Sequence, residues 1–423
     1  MLSEIEDLAK KSIAVRPSGL TAIIHTVSDD ISPIRVEMLD IHADYVNNIG
    51  DYIVLEVLIG LGTWTHDVYP YVNNLEVSLT YENIESLTIK TKRYKAVLLN
   101  DTVVKPESSG IDKIGKTDLD IKNIVQLKLQ LIDRSLEVIR IKQSGTVFRN
   151  VTLENLLTAE LSDNLTKLMV DGRPVIDELA IESISNKQRY HNLVIPDGTM
   201  VVSLPKYLHE KYGLYNAGVG LYFMDVNDRR QLYLYNTYNI NKSETGGRVL
   251  KIIVDNDRPS SLSNKSFYIE ANVVTISVGM DSYINNDGEA RMMQDGAGFK
   301  TINSRAMMAK PVQMGEQPYG NRRVVNTEVL LTEREDGVNY AILDTNNNIF
   351  TNTEGAVKRF GVPAKVSWSY SDPFLLQPSM PVIVTYNDSK KTVIRKGVLL
   401  AHHTTINKDR VPVTTLNLFL ERK

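Results

Sequence analysis

The chain has 423 residues, of which 42% are hydrophobic and 23% are charged, as expected for a folded protein of roughly two to four domains. Its net charge of −3 excludes a general excess of basic side chains for binding nucleic-acid phosphates. The absence of cysteine excludes disulfides, thiolate nucleophiles and cysteine metal ligands, and it is compatible with assembly in a reducing cytoplasm. No apolar run predicts a membrane-spanning helix, and the first residues lack a signal-peptide core.

The first third of the sequence predicts β-strands. Between residues 20 and 133, short polar breaks separate segments with alternating or continuous apolar side chains: LTAIIHT, IRVEML, YIVLEVLIGLG, LEVSLTYE, LTIKTKRYKAVLL and DLDIKNIVQLKLQLID. Strands at this spacing are typical of a sandwich or a barrel. Residues 63–74, TWTHDVYPYVNN, predict a short helix or loop between two of these strands. A capping-box pattern at Ser3 and Glu6 predicts a short N-terminal helix.

The spacing of apolar residues becomes helical in the middle of the sequence. Leucines at steps of three and four residues across residues 151–170 predict an amphipathic helix, with Asp171 and Gly172 as its end. Further along, Ser203 is placed to cap a second helix and Gly213 to end it in a left-handed conformation.

A hairpin is predicted directly after this second helix. Residues 220–226 and 231–237 are apolar and aromatic runs on either side of the polar sequence NDRR. Strands are predicted again near residues 249–254 and 266–277. In contrast, residues 281–320 are rich in Asn, Gly, Asp and Met without periodicity, which predicts long loops or an extended arm.

Alternation returns in the last hundred residues, in VVNTEVLLTE, AKVSWSY, MPVIVTY, RKGVLLAHHTTI and PVTTLNLFLER. The sequence therefore predicts a β-dominated α+β fold with two antiparallel β-barrel domains and a middle α/β region. The predicted divisions are an N-terminal barrel, a helix and hairpin region, an irregular arm with strands, and a C-terminal barrel, at residues 1–145, 146–250, 251–322 and 323–423.

One segment matches a phosphate-binding loop by its letters. Residues 110–117, GIDKIGKT, fit the pattern G-x-x-x-x-G-K-[ST], which requires a buried strand before the loop and a helix after it. Here a polar segment containing Pro106 precedes the match, and apolar residues at even steps from Leu119 onwards predict a strand after it. We therefore expect an inert loop and no nucleotide cofactor.

No metal site is predicted. His402 and His403 are adjacent in a predicted strand, so their side chains point to opposite faces and cannot bind one ion together. The series Asp344, Asn346 and Asn348 resembles a calcium loop but lacks the glycine that such a loop needs. The one dense basic run, residues 88–95, divides its charges between two strand faces and predicts a solvated strand edge. We predict no catalytic residues either.

The region from residue 195 to residue 238 resembles the baseplate or tail hub proteins of tailed bacteriophages, because IPDGTMVVSLPKYLHEKYGLY leads into a hairpin that ends near TY. YIVLEVLIGLGTWTHDVYPYVNNLEVSLTYE and RYKAVLL extend the resemblance, which covers about half of the chain. Such proteins are related to the N-terminal half of type VI secretion spike proteins.

The resemblance implies a homotrimer in which each subunit contributes two tube-like barrels to a ring of pseudo-sixfold symmetry. Such a ring joins the tail tube protein to the central spike protein, contacts other baseplate proteins, and meets DNA only as it passes through the channel. It implies a virion protein of the tail baseplate, assembled in the host cytoplasm, without membrane insertion, cofactor or enzymatic activity. The alternative is a tail-associated hydrolase of cell wall or polysaccharide.

A ring of this kind requires large contacts between subunits, and stable interfaces are rich in aromatic and methionine side chains. Two groups of such residues lie outside the periodic core patterns. We expect both groups to contact neighbouring subunits or baseplate partners: Trp64, Tyr69 and Tyr71 in the first interruption, and Met292, Met293, Met307, Met308 and Met314 in the irregular arm.

Overall fold

The computed structural model describes residues 19–83, 88–99, 123–226, 229–244, 248–254, 267–279 and 361–421 apart from 389–390 and 410, with isolated stretches between 283 and 358. It confirms the predicted β-dominated α+β fold. Among the described residues, no helix is long and apolar enough to span a membrane. The predicted N-terminal helix and most of the predicted irregular arm lie outside the described residues.

Strands occupy most of the described chain. In the N-terminal and middle parts they are β1 (Gly19–His25), β2 (Asp30–Ile31), β3 (Arg35–Asp44), β4 (Tyr52–Gly60), β5 (Leu75–Asn83), β6 (Thr88–Leu98), β7 (Ile124–Ile132), β8 (Gln143–Thr152), β9 (Met169–Val170), β10 (Arg173–Pro174), β11 (Glu178–Ile181), β12 (Arg189–Met200), β13 (Val219–Val226) and β14 (Arg229–Asn236). The following strands are β15 (Val249–Val254), β16 (Phe267–Glu270), β17 (Val273–Val278), β18 (Tyr283–Ile284), β19 (Phe299–Ile302), β20 (Gln317–Tyr319), β21 (Arg322–Val324), β22 (Asn339–Ile342), β23 (Val362–Ser369), β24 (Pro381–Asp388), β25 (Lys391–Asn407) and β26 (Pro412–Leu420).

One sheet of 15 strands contains the N-terminal and the C-terminal strands together. Its order is β16-β17-β15-β24-β25-β3-β4-β7-β6-β5-β1-β2, and β26 joins β25 to β23 beside this path. The two ends of the chain meet where β25 pairs antiparallel with β3, with His403 opposite His42. The predicted strand segments of both ends are confirmed where the structure describes them, and the sheet between them is continuous. The segment VVNTEVLLTE, residues 324–333, lies outside the described residues apart from Val324. Closure of either end into a barrel, and the four domain boundaries, stay predictions; the boundary at residue 145 falls inside β8.

The longest helix starts where predicted but ends earlier. Helix α2, Leu153–Leu165, follows α1, Arg134–Ile141, and buries five leucines on one face. The prediction that it continues to residue 170 is wrong. Asp171 and Gly172 instead form the turn between β9 and β10, because both have positive φ, at 52° and 74°, as a tight hairpin turn requires.

The second predicted helix is confirmed as α3, Leu204–Tyr212. Gly213 ends it with φ of 78°, a left-handed value that favours glycine. The predicted capping by the Ser203 side chain is wrong. Its backbone is already helical, and its hydroxyl donates to the Met200 carbonyl at 2.8 Å rather than accepting from the first turn. The hairpin of β13 and β14 is also confirmed, although Arg229 and Arg230, predicted in the turn, lie in β14.

Three hydrophobic cores divide the described chain. The first lies within the N-terminal strands, the second within the C-terminal strands, and the third among α1, α2, α3 and the β13–β14 hairpin. The hairpin belongs to two of them because strand side chains alternate between faces. Tyr222 and Tyr235 enter the second core, whereas Leu221, Phe223 and Leu234 enter the third.

The close packing of β25 on β26 gives a testable consequence. A Cβ atom on Gly397 would lie 2.3 Å from the Phe419 carbonyl oxygen, and a backbone atom in a sheet cannot yield easily. We expect Gly397→Ala to lower the free energy of unfolding by about 1–3 kcal/mol, measured by chemical denaturation. The control is Gly172→Asn, for which the Cβ position is open and asparagine tolerates the left-handed backbone. Equal stability of both variants would contradict this account.

Candidate functional site

The broadest candidate surface is one face of the 15-stranded sheet. Cross-strand register places rows of solvent-facing side chains across β23, β26, β25, β3, β4 and β7. One row runs Ser367, Thr415, His403, His42 and Tyr52. We call this surface the polar face, and it comprises Lys365, Ser367, Asn417, Thr415, His403, Thr405, Asp40, His42, Asp44, Tyr52, Glu56, Lys128 and Gln130.

The opposite side of the same strands is apolar and buried. Ile41, Leu55 and Leu416 are each at most 4% exposed, and they alternate with the residues of the polar face. This alternation determines which side of the sheet packs in the core and which side is exposed to solvent. The polar face is therefore a surface of the subunit that crosses the junction of its two ends.

The charges on the polar face nearly balance. Asp40, Asp44 and Glu56 oppose Lys128 and Lys365. Glu56 accepts a hydrogen bond from Gln126 at 3.0 Å and pairs with the Lys128 ammonium at 3.1 Å. Because acids slightly outnumber lysines within this set, the face lacks the basic stripe that attracts nucleic-acid phosphates.

A cluster of Asp40, His42 and His403 lies at the centre of the polar face. Asp40 and His42 come from β3 and His403 from β25, and their ligand atoms all lie within 4.8 Å of one another. The two imidazole rings stack with centroids 3.8 Å apart. His42 Nε2 lies 3.0 Å from Asp40 Oδ2, and His403 Nε2 contacts Asp40 Oδ1. Partial burial alone would raise the pKa of Asp40, but hydrogen bonds from the imidazoles and from Thr405 lower it overall.

The structure confirms that His402 and His403 point to opposite faces. His402 is 5% exposed in the apolar side of the sheet, where burial and the neighbouring imidazoles lower its pKa to about 3. The pairing of His403 with His42 was not predicted, because it depends on the register between β25 and β3, which are far apart in the sequence. The residue spacing within β3 offered one signal, since Asp40 and His42 lie two apart on one strand face.

A second polar site connects the N-terminal strands to the middle region. Lys92 on β6 pairs with Asp133, at 2.7 Å, and with Asp225 on β13. Asp133 also caps α1, since its Oδ1 accepts from the Ser135 and Leu136 amides. Burial would lower the pKa of Lys92, but the acidic groups around it raise it overall, so the amine remains charged.

These residues line a cavity of about 980 Å³ between the two regions. On its wall, the Tyr222 hydroxyl donates to Asp51 at 2.5 Å. Residues 88–94 pair with β5 alone, because β7 pairs with β6 only from Lys95 to Leu98, so this run forms a strand edge as predicted, although Lys92 faces the cavity. The predicted division of its charges is correct: Lys92 and Tyr94 face inward, and Arg93 faces outward with 54% of its side chain exposed.

The predicted interface residues of the first interruption form a helical segment at residues 61–74, in which a π-helical turn leads into a 3-10 turn. Trp64 is 1% exposed and packs in the first core, with Tyr69 edge-on at 5.5 Å. Tyr69 and Tyr71 are half-buried and keep a solvent-facing part. The predicted interface contact therefore stays a prediction for Tyr69 and Tyr71 only, since the Trp64 ring is buried within its own chain.

Several predicted features lie outside the described residues. These are the loop at residues 110–117, the polar series of Asp344, Asn346 and Asn348, and the five predicted interface methionines, Met292, Met293, Met307, Met308 and Met314. The strand expected after the loop is present as β7, which begins at Ile124. Residues 118–122, between the loop and β7, also lie outside the described residues, so the inert loop stays a prediction.

Comparison with known proteins places the chain in a phage family. The sequence profile described as "Bacteriophage PBS1 gene 109 protein" matches residues 28–300, well over half of the chain. The chain belongs to this family. No curated protein matches it.

Solved structures resemble the chain over nearly its whole length. A 43 kDa tail protein of prophage MuSo2 from Shewanella oneidensis has 8% identity and a TM-score of 0.50, over 95% of this chain and 96% of that one. A tail protein from Neisseria meningitidis has 11% identity and a TM-score of 0.49, over 95% and 96%. An E. coli type VI secretion component, c3393, has 8% identity and a TM-score of 0.46, over 95% and 77%.

The similarity to the MuSo2 tail protein, at 8% identity and a TM-score of 0.50, establishes a shared fold. Together with membership of a phage family, the shared fold confirms the predicted resemblance to phage tail hub proteins.

Lys92 is part-buried and pairs with two carboxylates, which predicts a large effect of its removal. Lys92→Met leaves Asp133 and Asp225 without their shared cation, and we expect a loss of about 2–4 kcal/mol in the free energy of unfolding. The control is Arg93→Met, which breaks an exposed pair with Glu76 and should cost less than about 1 kcal/mol. Urea denaturation of both variants measures the difference, and similar losses would show that the Lys92 cluster is not structural.

A second comparison separates core from surface in the helical segment. We expect Trp64→Ala to destabilise the subunit by about 3–5 kcal/mol, because its ring is fully enclosed. Tyr71→Ala should cost clearly less, since the side chain is half-exposed. Thermal unfolding of the isolated chain provides the measurement. A Trp64 variant that melts like the unsubstituted chain would contradict the assignment of Trp64 to the core.

Proposed function

We propose that the chain is a structural hub protein of a phage tail baseplate, which forms a homotrimeric ring between the tail tube and the central spike. The observation that carries this proposal is the continuous sheet across β3 and β25, whose polar face spans both ends of the chain. A trimer of such subunits presents six similar strand regions around one axis. Six regions match a hexameric tube on one side, while the threefold axis matches a trimeric spike on the other.

In this proposal the polar face lines the channel. A channel for DNA must be wetted, so that no apolar wall holds the polymer, and it must not carry a basic stripe that would retain phosphates. The polar face meets both requirements, because hydroxyl, amide and imidazole groups dominate it and its lysines are balanced by carboxylates. DNA then contacts the protein only in passage.

The two strand-rich ends then correspond to the two tube-like barrel domains, and the middle region and arm to the parts that face other baseplate proteins. Separate hydrophobic cores in the N-terminal and C-terminal strands support this division. The third core, which α1, α2 and α3 share, supports a separate middle body. Tyr69 and Tyr71, with the methionines of the arm, supply the proposed contacts between subunits.

The fold favours a structural role over the alternative hydrolase. Three carboxylates in the cavity beside β6 have ion-pair or hydrogen-bond partners. Asp133 and Asp225 pair with Lys92, and Asp51 accepts a hydrogen bond from the Tyr222 hydroxyl. A glycoside hydrolase needs one carboxylic acid with a raised pKa and a second free carboxylate across an open cleft. Burial raises the pKa of Asp51, but the other two carboxylates, Asp133 and Asp225, are held in ion pairs with Lys92. Clearing of cell-wall or capsule gels by the purified chain would favour the hydrolase.

Native mass spectrometry over a range of concentrations tests the proposed assembly. We expect a trimer, alone or on addition of tube and spike proteins from the same phage. Tyr69→Asp with Tyr71→Asp should shift the equilibrium to monomer, because a charge placed in an apolar contact is costly. The control is Tyr268→Asp, at a tyrosine on β16 that is 49% exposed. A chain that stays monomeric in every mixture would refute the hub proposal.

A further inference from the structure

We propose that Asp40, His42 and His403 form a binding site for a divalent transition-metal ion, with Zn²⁺ as the preferred ion among those common in cells. The site lies on the polar face at the junction of β3 and β25. It rests on side-chain geometry alone and does not depend on the proposed function.

The donor set fits this class of ion. Two imidazole nitrogens and one carboxylate oxygen form the ligand set of many zinc sites, whereas calcium and magnesium prefer oxygen ligands only. Two of the three side chains, those of His42 and His403, are directly opposite each other in the antiparallel register, so the backbone fixes their spacing. A single residue shift in this register would turn His403 into the core and destroy the site.

The distances require only small side-chain movement. Zinc ligands at about 2.0–2.1 Å from a tetrahedral ion are about 3.3 Å apart. The ligand atoms here lie within 4.8 Å of one another, and both histidines already direct Nε2 towards Asp40. Without metal, the Asp40 carboxylate accepts the Nε2 protons of both rings. Metal binding replaces these hydrogen bonds, because each neutral ring must take the tautomer that carries its proton on Nδ1 so that Nε2 presents a lone pair, with the proton exchanged through solvent.

The surroundings support three ligands and an open position. The Thr405 hydroxyl donates to Asp40 Oδ1 at 2.9 Å and orients the carboxylate, as groups around metal ligands commonly do. The side chains of His42 and His403 are 44% and 42% exposed, whereas Asp40 is 19% exposed. Solvent can therefore reach the ion from the histidine side, and a water molecule completes a tetrahedral set.

Titration calorimetry of the full chain with ZnCl₂ tests the site, after treatment with a chelator. We expect one ion per chain, and His42→Gln with His403→Gln should weaken binding by at least about 100-fold, since loss of a merely orienting group already costs about 10–100-fold. Thr405→Val should weaken binding by about tenfold while leaving the stoichiometry unchanged.

The matched control is His25→Gln. His25 pairs with Asp30 through Nδ1 at 2.5 Å, so it is another histidine–aspartate pair, on β1 and β2. Its loss should leave zinc binding unchanged. Binding that survives the double variant, or that is lost equally with His25→Gln, would overturn the proposal.

A second measurement uses the unsubstituted chain, so its result does not depend on whether the variants fold. Co²⁺ added to the unsubstituted chain should give visible absorption typical of a four-coordinate ion with nitrogen ligands, and Zn²⁺ should displace it at one equivalent. Absence of saturable Co²⁺ and Zn²⁺ binding to the folded chain would also overturn the proposal.

Discussion

The pairing of β3 with β25 is the constraint on which the described structure depends. It joins residues 363 positions apart, from Asp40 to His403, and no local turn enforces it. The pair also divides between two cores: Leu39, Ile41 and Ile406 pack in the first, and Ala43 and Leu399 in the second. Because loop closure over such a separation is entropically costly, apolar burial on one side of the pair must compensate for it.

Local features of the fold were predictable because their causes are local. Alternation predicted β3 to β7 and the C-terminal strands, and glycine chemistry predicted the end of α3 at Gly213. The long pairing of β8 with β12 was missed, since these strands are polar and exposed over much of their length. Helix α1 was missed as well, although Asp133 is a standard capping residue at its start. Its eight residues are too short for a clear apolar period.

The candidate sites were less predictable, because each depends on contacts between distant strands. Asp40 and His42 can be placed on one face from their spacing, but only the register of β25 brings His403 to them. Lys92 could be assigned to the same face as Tyr94, yet its partners, Asp133 and Asp225, come from separate elements. Trp64 was predicted at an interface because it lies outside a periodic pattern, but the π-helical turn that contains it buries its ring in the core.

Where β3 pairs with β25, strand alternation places the polar side chains on one face of the sheet and the stabilising core side chains on the other. His402 and His403 are adjacent, but one is buried and neutral beside the Tyr45 ring at 5.8 Å while the other lies on the polar face. Substitutions at His403, Asp40 or Glu56 therefore remove few core contacts, and the polar face can change its charge or its ligands without loss of the fold. A polar, weakly charged surface that is continuous across two parts of the chain is thus built on a core that the same strands keep apolar.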